Sequence, residues 1–228
     1  MPIKMYDLAG AEPNRRFSPF CWRIKLALAH KQLEVETIPW RYQDKPLLAF
    51  AKWDRVPVIV DGNEPVVDSW NIASYLEKTY PSKPALFNGA PDASRFYNAW
   101  TDVVLNPAIA RIVVLDILNH LTTDDQPYFR KTREDRLGAR LEDVVKDREA
   151  RLPAFAQILE PIRQTLAAQH YLGGATPLYS DYIVFGSLMW ARCISPLRLI
   201  EASDPLNAWS ERLFDSFDGL ARKAPHYW

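Results

Sequence analysis

Three short stretches carry residue types whose spacing could do chemistry. Ser18-Pro19 stands between an apolar run and a helical pattern. Serine is a favoured N-cap and proline a favoured first helical residue, so capping alone explains the pair. The same spot also presents unpaired N–H groups and a partial positive charge, which stabilise an anion such as a thiolate. A free thiol has a pKa near about 8.5, and each unit of depression requires about 1.4 kcal/mol of preference for the anion. A hydroxyl donor with a helix terminus can supply roughly one to two such units.

The second stretch is Val56-Pro57, where a proline enters a strand-like run. Proline cannot donate to a strand ladder, so it belongs at the first positions, either as plain strand entry or with a cis bond. A cis bond would aim the carbonyl and N–H of Val56 away from the sheet, free to pair with an extended peptide. The third is Asp68-Ser69 ahead of another helical pattern. Capping again accounts for it. A hydroxyl and N–H at a helix start can also hold a carboxylate, and Asp68 can hold an ammonium. An α-amino acid head group has both.

These residues need elements to position them. Strands are expected over Ile3–Leu8, Val35–Ile38, Val56–Val60 and Pro65–Val67, the last two joined by a turn at Asp61-Gly62-Asn63. A helix is expected over Pro19–His30, with Phe20, Ile24, Ala27 and Leu28 on one face. Another opens at Ser69, buries Ile72, Ala73, Leu76 and Tyr80, and stops at Pro81. This order predicts an α/β domain over residues 1–82, a small mixed sheet with helices packed on it. Ser82–Pro91, with Pro84 and Gly89 inside it, reads as a linker. Residues 92–228 read as an all-α domain. Its helices are expected over Arg95–Leu121 with a kink at Pro107, then Tyr128–Arg151, Ala154–His170, Asp181–Ile194 and Leu206–Leu220.

Bulk properties exclude several classes. The 228 residues are 48% apolar and 25% charged, enough to build a packed core. Lys plus Arg and Asp plus Glu both number 28, so no excess positive charge exists to draw nucleic acid or an anionic membrane. The dense charges of Arg130–Arg151 alternate in sign, as on a solvated helical face. No apolar run approaches the roughly 18 residues of a membrane span, and no secretory leader is read at the N-terminus. Four His and two Cys show no metal-ligand spacing, so no metal is expected. Cys21 and Cys193 make no disulfide framework, and a cytoplasmic location is expected.

Taken together and in this order, the stretches resemble the glutathione transferase superfamily, with its thioredoxin-like first domain and all-helical second domain. The resemblance covers essentially the whole chain and is strongest over Val56–Gly62 and Val67–Glu77. It implies a glutathione transferase that uses glutathione as co-substrate and joins its sulfur to a hydrophobic aromatic small molecule. Ser18 would donate to the thiolate. Val56, with Pro57, would bind the cysteinyl backbone, and Asp68 and Ser69 the γ-glutamyl end. Trp40, Arg41 and Lys52 are candidates for the glycine carboxylate. Phe17, Trp100 and Trp190 would line the electrophile pocket, and a homodimer is expected.

Phe17–Arg23 is similar to the serine-type branch that includes bacterial lignin β-etherases and related fungal enzymes, which implies aryl ether cleavage as one reaction. Asp181–Gly186 resembles the same branch, with one departure. A hydroxyl or amide often stands three residues before the aspartate as half of a capping box, and here that residue is Leu178. Two alternatives stand beside this reading. One is a glutathione-binding protein of the same fold without turnover. The other is a thiol-disulfide enzyme using Cys21, the second position of a Cys-Pro-x-Cys pattern whose first sulfur is replaced by Ser18.

Overall fold

The computed structural model describes residues 2–89 and 91–228. Ala90, inside the expected linker, and Met1 lie outside the described residues. The first domain holds β1 (Ile3–Leu8), α1 (Pro19–His30), β2 (Val35–Trp40), a 3₁₀ segment (Tyr42–Ala51), β3 (Val58–Asp61), β4 (Glu64–Val67) and α2 (Ser69–Thr79). The sheet order is β2-β1-β3-β4. β1 and β2 run parallel, with Ile3 opposite Val35, and α1 is the crossover that parallel pairing requires. β1 with β3 and β3 with β4 are antiparallel.

Local chemistry explains the α1 boundaries. Ser18 caps it, Pro19 opens it, and its buried face carries Cys21, Ile24, Ala27 and Leu28. Phe20 departs from the expected inward face. It is 37% exposed, with the Arg23 guanidinium 4.7 Å above its ring. β3 begins two residues later than expected, at Val58, and the Val56–Pro57 bond is cis.

The second domain holds α3 (Pro91–Trp100), a π segment (Thr101–Leu105), α4 (Asn106–Val113), α5 (Asp125–Leu137), α6 (Leu141–Val145), α7 (Leu152–Ile158), α8 (Glu160–Ala168), α9 (Tyr179–Ile194) and α10 (Leu206–Gly219). Where one long helix was expected over Arg95–Leu121, the ladder loosens. The Asn106 N–H reaches back to the Thr101 carbonyl just before Pro107, which has no N–H to offer Val103. The helix expected over Tyr128–Arg151 ends instead at Gly138, whose φ of 69° is left-handed. The one expected over Ala154–His170 divides at Leu159, with Pro161 in the first turn of α8.

α9 is the hub. All of its residues but Trp190 are buried, and it lies along α1. Gly186 permits the approach, because a Cβ there would sit 2.8 Å from the Pro19 carbonyl oxygen. Asp181 steadies the start of α9. It accepts from the N–H groups of Leu172, Gly173 and Leu178, and from the Trp209 indole at 2.8 Å. Leu178 contributes no side-chain acceptor, yet Asp181 satisfies donors from three separate parts of the chain.

Candidate active site at the mouth of the first helix

Ser18 lies at the end of the loop from β1, in extended conformation with φ −63° and ψ 126°. Its Oγ accepts the Cys21 N–H at 3.3 Å, and its carbonyl accepts the Trp22 N–H. The hydroxyl proton is therefore left for another acceptor. Pro19 has no N–H, so Phe20 supplies the one first-turn N–H with no intramolecular partner among the described residues. Ser18 and Phe20 thus form a two-donor mouth backed by the helix dipole, suited to a single anionic atom.

The loop that delivers Ser18 is fixed from several sides. Gly10 lets it touch the helical domain, since a Cβ there would collide with the His120 carbonyl oxygen. The neighbouring Ala11 N–H donates to that oxygen at 2.6 Å. Arg15 donates to the Cys193 carbonyl at 2.6 Å. The Trp22 indole donates to the Arg16 carbonyl at 2.9 Å.

Val56 makes no hydrogen bond through its N–H or carbonyl among the described residues, which leaves an open peptide edge. Asp68 caps α2 with one oxygen. Its Oδ1 accepts the N–H groups of Trp70 at 3.0 Å and Asn71 at 3.1 Å, leaving Oδ2 for a cation. Its φ of 69° with ψ of 132° lies outside the left-handed helical well that aspartate ordinarily tolerates, so this cap is held in a strained backbone conformation. Ser69 is buried, and its carbonyl accepts the Tyr179 hydroxyl at 2.9 Å, so α9 also seats this second helix mouth.

Two expectations give way to packing. Trp40 is 2% exposed, and its indole N–H is donated to the Asp44 carbonyl at 3.0 Å, so it holds the 3₁₀ segment rather than a ligand carboxylate. Phe17 is 1% exposed, so its ring is core and offers no surface to an electrophile. Arg41 is turned to the loop, donating to the Gly10 carbonyl at 3.0 Å. Lys52 is exposed, and with Lys45, Ala49 and Trp53 it borders a shallow groove. Lys45 had no sequence signal, because its place depends on how the 3₁₀ segment packs. Trp100 and Trp190 are half-buried against the core. A larger cavity, about 580 Å³ between α8 and α10, shares no residue with these mouths.

Cys21 is a poor nucleophile here. It is fully buried, and burial first, then the Asp7 carboxylate, push its thiol well above the usual range. Among the described residues no cluster of His, Cys, Asp and Glu has the arrangement of a metal site.

A thioredoxin-like sheet domain carrying two capped helix mouths and an open peptide edge, seated on an all-helical domain, is the two-domain architecture of the glutathione transferases. The chain belongs to the glutathione S-transferase family. The family's C-terminal domain matches residues 93–217 and its N-terminal domain residues 17–79. Among relatives, glutathione S-transferase U25 of Arabidopsis thaliana is 24% identical over 217 residues, 91% of this chain and 85% of that protein. Among solved structures, glutathione transferase GSTFuA3 from Phanerochaete chrysosporium is 26% identical with a TM-score of 0.77, covering 96% of this chain and 92% of that one. The glutathione S-transferase CsGST63524 of Ceriporiopsis subvermispora, solved in complex with glutathione, is 24% identical with a TM-score of 0.82, covering 96% and 98%.

Proposed function

We propose that this glutathione transferase holds the glutathione thiolate between the Ser18 hydroxyl and the Phe20 N–H, and presents it to a hydrophobic aromatic electrophile. The observation that carries the reading is the cap geometry: Ser18 Oγ already accepts the Cys21 N–H, so its own proton is free to be donated. Val56 would pair with the cysteinyl backbone through its open main chain. Asp68 Oδ2 would take the γ-glutamyl ammonium, and Ser69 the adjacent carboxylate. Lys52, with Lys45 beside it, would take the glycine carboxylate. Trp100 and Trp190 would supply the aromatic wall from the helical domain.

In the reaction the sulfur forms a bond to carbon while the carbon–halogen or carbon–oxygen bond breaks. For an aryl ether the leaving aryloxide then takes a proton. Ser18 is a donor, not a covalent nucleophile, and needs no partner base. The similarity of Phe17–Arg23 to the lignin β-etherase branch makes aryl ethers the first substrates to try. A homodimer fits the exposed apolar residues Leu47, Phe50, Phe96 and Val103. A reducing cytoplasm suits two buried free cysteines.

The test compares wild type with Ser18→Ala on glutathione plus aryl ethers and aromatic halides. Ser18→Ala should lower kcat/KM by about 10-fold or more, less than the roughly 10²-fold loss of a donor in a fully enclosed oxyanion site, with little change in glutathione affinity. An unchanged rate would remove the hydroxyl from the mechanism. Phenol release from the ethers would establish ether cleavage, and its absence alongside halide turnover would reduce the activity to general conjugation.

A further inference from the structure

A buried charge cluster lies beside α1, its Lys25 about two turns along the helix from the proposed thiolate mouth. Asp7, near the end of β1, is 0% exposed. Its carboxylate oxygens accept no hydrogen bond among the described residues. Lys25 Nζ stands 3.1 Å from Asp7 Oδ2 without the alignment of a hydrogen bond, so charge alone holds the pair. The same ammonium lies 3.6 Å from the centre of the Trp22 ring. Arg16 brings a second cation to within 3.7 Å of the same carboxylate oxygen. Two cations on one anion leave a net positive charge in a site largely closed to water, where screening is weak.

A buried carboxylate without hydrogen bonds is a poor stabilising element, because desolvation opposes the Coulomb attraction. It needs another reason to be there. Lys25 sits seven residues after the Ser18 cap, and its ammonium reaches back over the ring of Trp22, three residues nearer the helix start. The other charges around these turns are committed elsewhere. Arg23 pairs with Asp102, and Arg15 with Glu12. Arg41 donates to loop carbonyls, and Asp68 caps α2.

We propose that the Asp7–Lys25–Arg16 cluster sets the acidity of the glutathione thiol held at Ser18, with Lys25 lowering its pKa and Asp7 restraining that effect. This rests on the thiolate reading above. The residues act through the field and touch no reacting atom. At roughly 10 Å and an effective dielectric near 20 to 40, one unit charge moves a pKa by about 0.5 to 1 unit, roughly three- to tenfold in the thiolate fraction on the acid side.

The experiment titrates enzyme-bound glutathione by its ultraviolet thiolate absorbance, and in parallel records kcat/KM against pH, for wild type, Lys25→Met, Lys25→Arg and Asp7→Asn. Lys25→Met should raise the thiol pKa by about 0.5 to 1 unit, Lys25→Arg should restore it, and Asp7→Asn should lower it. The opposite signs distinguish a field from mere support, since loss of packing would move both variants the same way. Shifts of the same sign, or no shift in variants that still bind glutathione by calorimetry, would overturn the proposal. A wild-type complex with no thiolate below the pKa of free glutathione would instead sink the Ser18 reading, and this inference with it. If Asp7→Asn does not fold, the contrast between Lys25→Met and Lys25→Arg decides the matter alone.

Discussion

Gly186 of α9 lies directly against the Pro19 carbonyl, so the helical domain touches α1 at its first residue. Ser18 is adjacent in sequence, and its position is set as much by α9 as by the sheet that precedes it. A Cβ at 186 would also come within 3.2 Å of the Arg23 N–H nitrogen and 3.3 Å of Trp22 Cβ. Backbone on one side and a buried indole on the other leave little room to yield.

Gly186→Val should therefore be costly twice. Overpacking a tight helix crossing destabilises by about 1 to 3 kcal/mol, seen as a lower thermal midpoint. Because the displaced residues carry Ser18, catalytic loss should exceed what stability explains. A folded Gly186→Val protein with wild-type kcat/KM would show that α9 does not fix the mouth.

Cys21→Ala separates the serine mechanism from a redox one. The thiol is fully buried and its pKa is pushed up, while the Ser18 cap uses only the main-chain N–H at this position. Transferase activity should persist, with a stability loss of about 1 kcal/mol from the missing sulfur. Abolished transfer in a folded Cys21→Ala protein would restore the thiol-disulfide alternative.

Acidification should loosen the join between the domains in two stages. His30 Nε2 faces the Ala85 carbonyl at 3.0 Å and so carries the proton, while Nδ1 accepts from the Tyr182 hydroxyl at 2.6 Å. Burial holds its pKa below the ordinary imidazole value, against a smaller opposing effect of the Ala85 carbonyl. The unfolded chain then takes up the proton first. The contribution is whole above about pH 6.5 and falls as pH drops toward the lower folded value. Glu77 follows. Burial alone would raise its pKa, but the Leu86 N–H, Lys31 and the Phe87 N–H outweigh it and lower the net value. Its contribution is present above the unfolded carboxylate value, near about 4.3, and is lost below it. Thermal midpoints measured against pH should decline from neutrality downward. His30→Gln should flatten the upper part of that decline, and a parallel curve would refute the assignment.

What the sequence made legible was whatever depends on neighbours in the chain. Ser18, Pro19 and the run to His30 give the α1 boundaries, because capping and proline geometry are local. The break in the long helix was harder. Pro107 announces a disturbance, but where the turns reopen depends on Asp102 being held by Arg23 of α1 at 3.0 Å. The 3₁₀ segment was invisible for the same reason, since its start is tied by the Gln43 N–H to Asp125 of α5 at 3.1 Å. Trp40 and Phe17 read as aromatic residues available to a ligand, and both are buried. That burial, which sequence does not record, gives them packing roles. Asp7 could have been noticed as an acid between Tyr6 and Leu8 in an otherwise apolar end of β1.

The join of α1 to α9 also bears on how such a chain can be rearranged. With Trp22 buried and Gly186 pressed on Pro19 and Trp22, a fragment ending near residue 82 would lay bare the face of α1 that α9 covers. The two halves are therefore poor candidates for exchange as interchangeable cassettes. A grafted helical half must reproduce the glycine and the surface around it before it can host another protein's thiol-binding half.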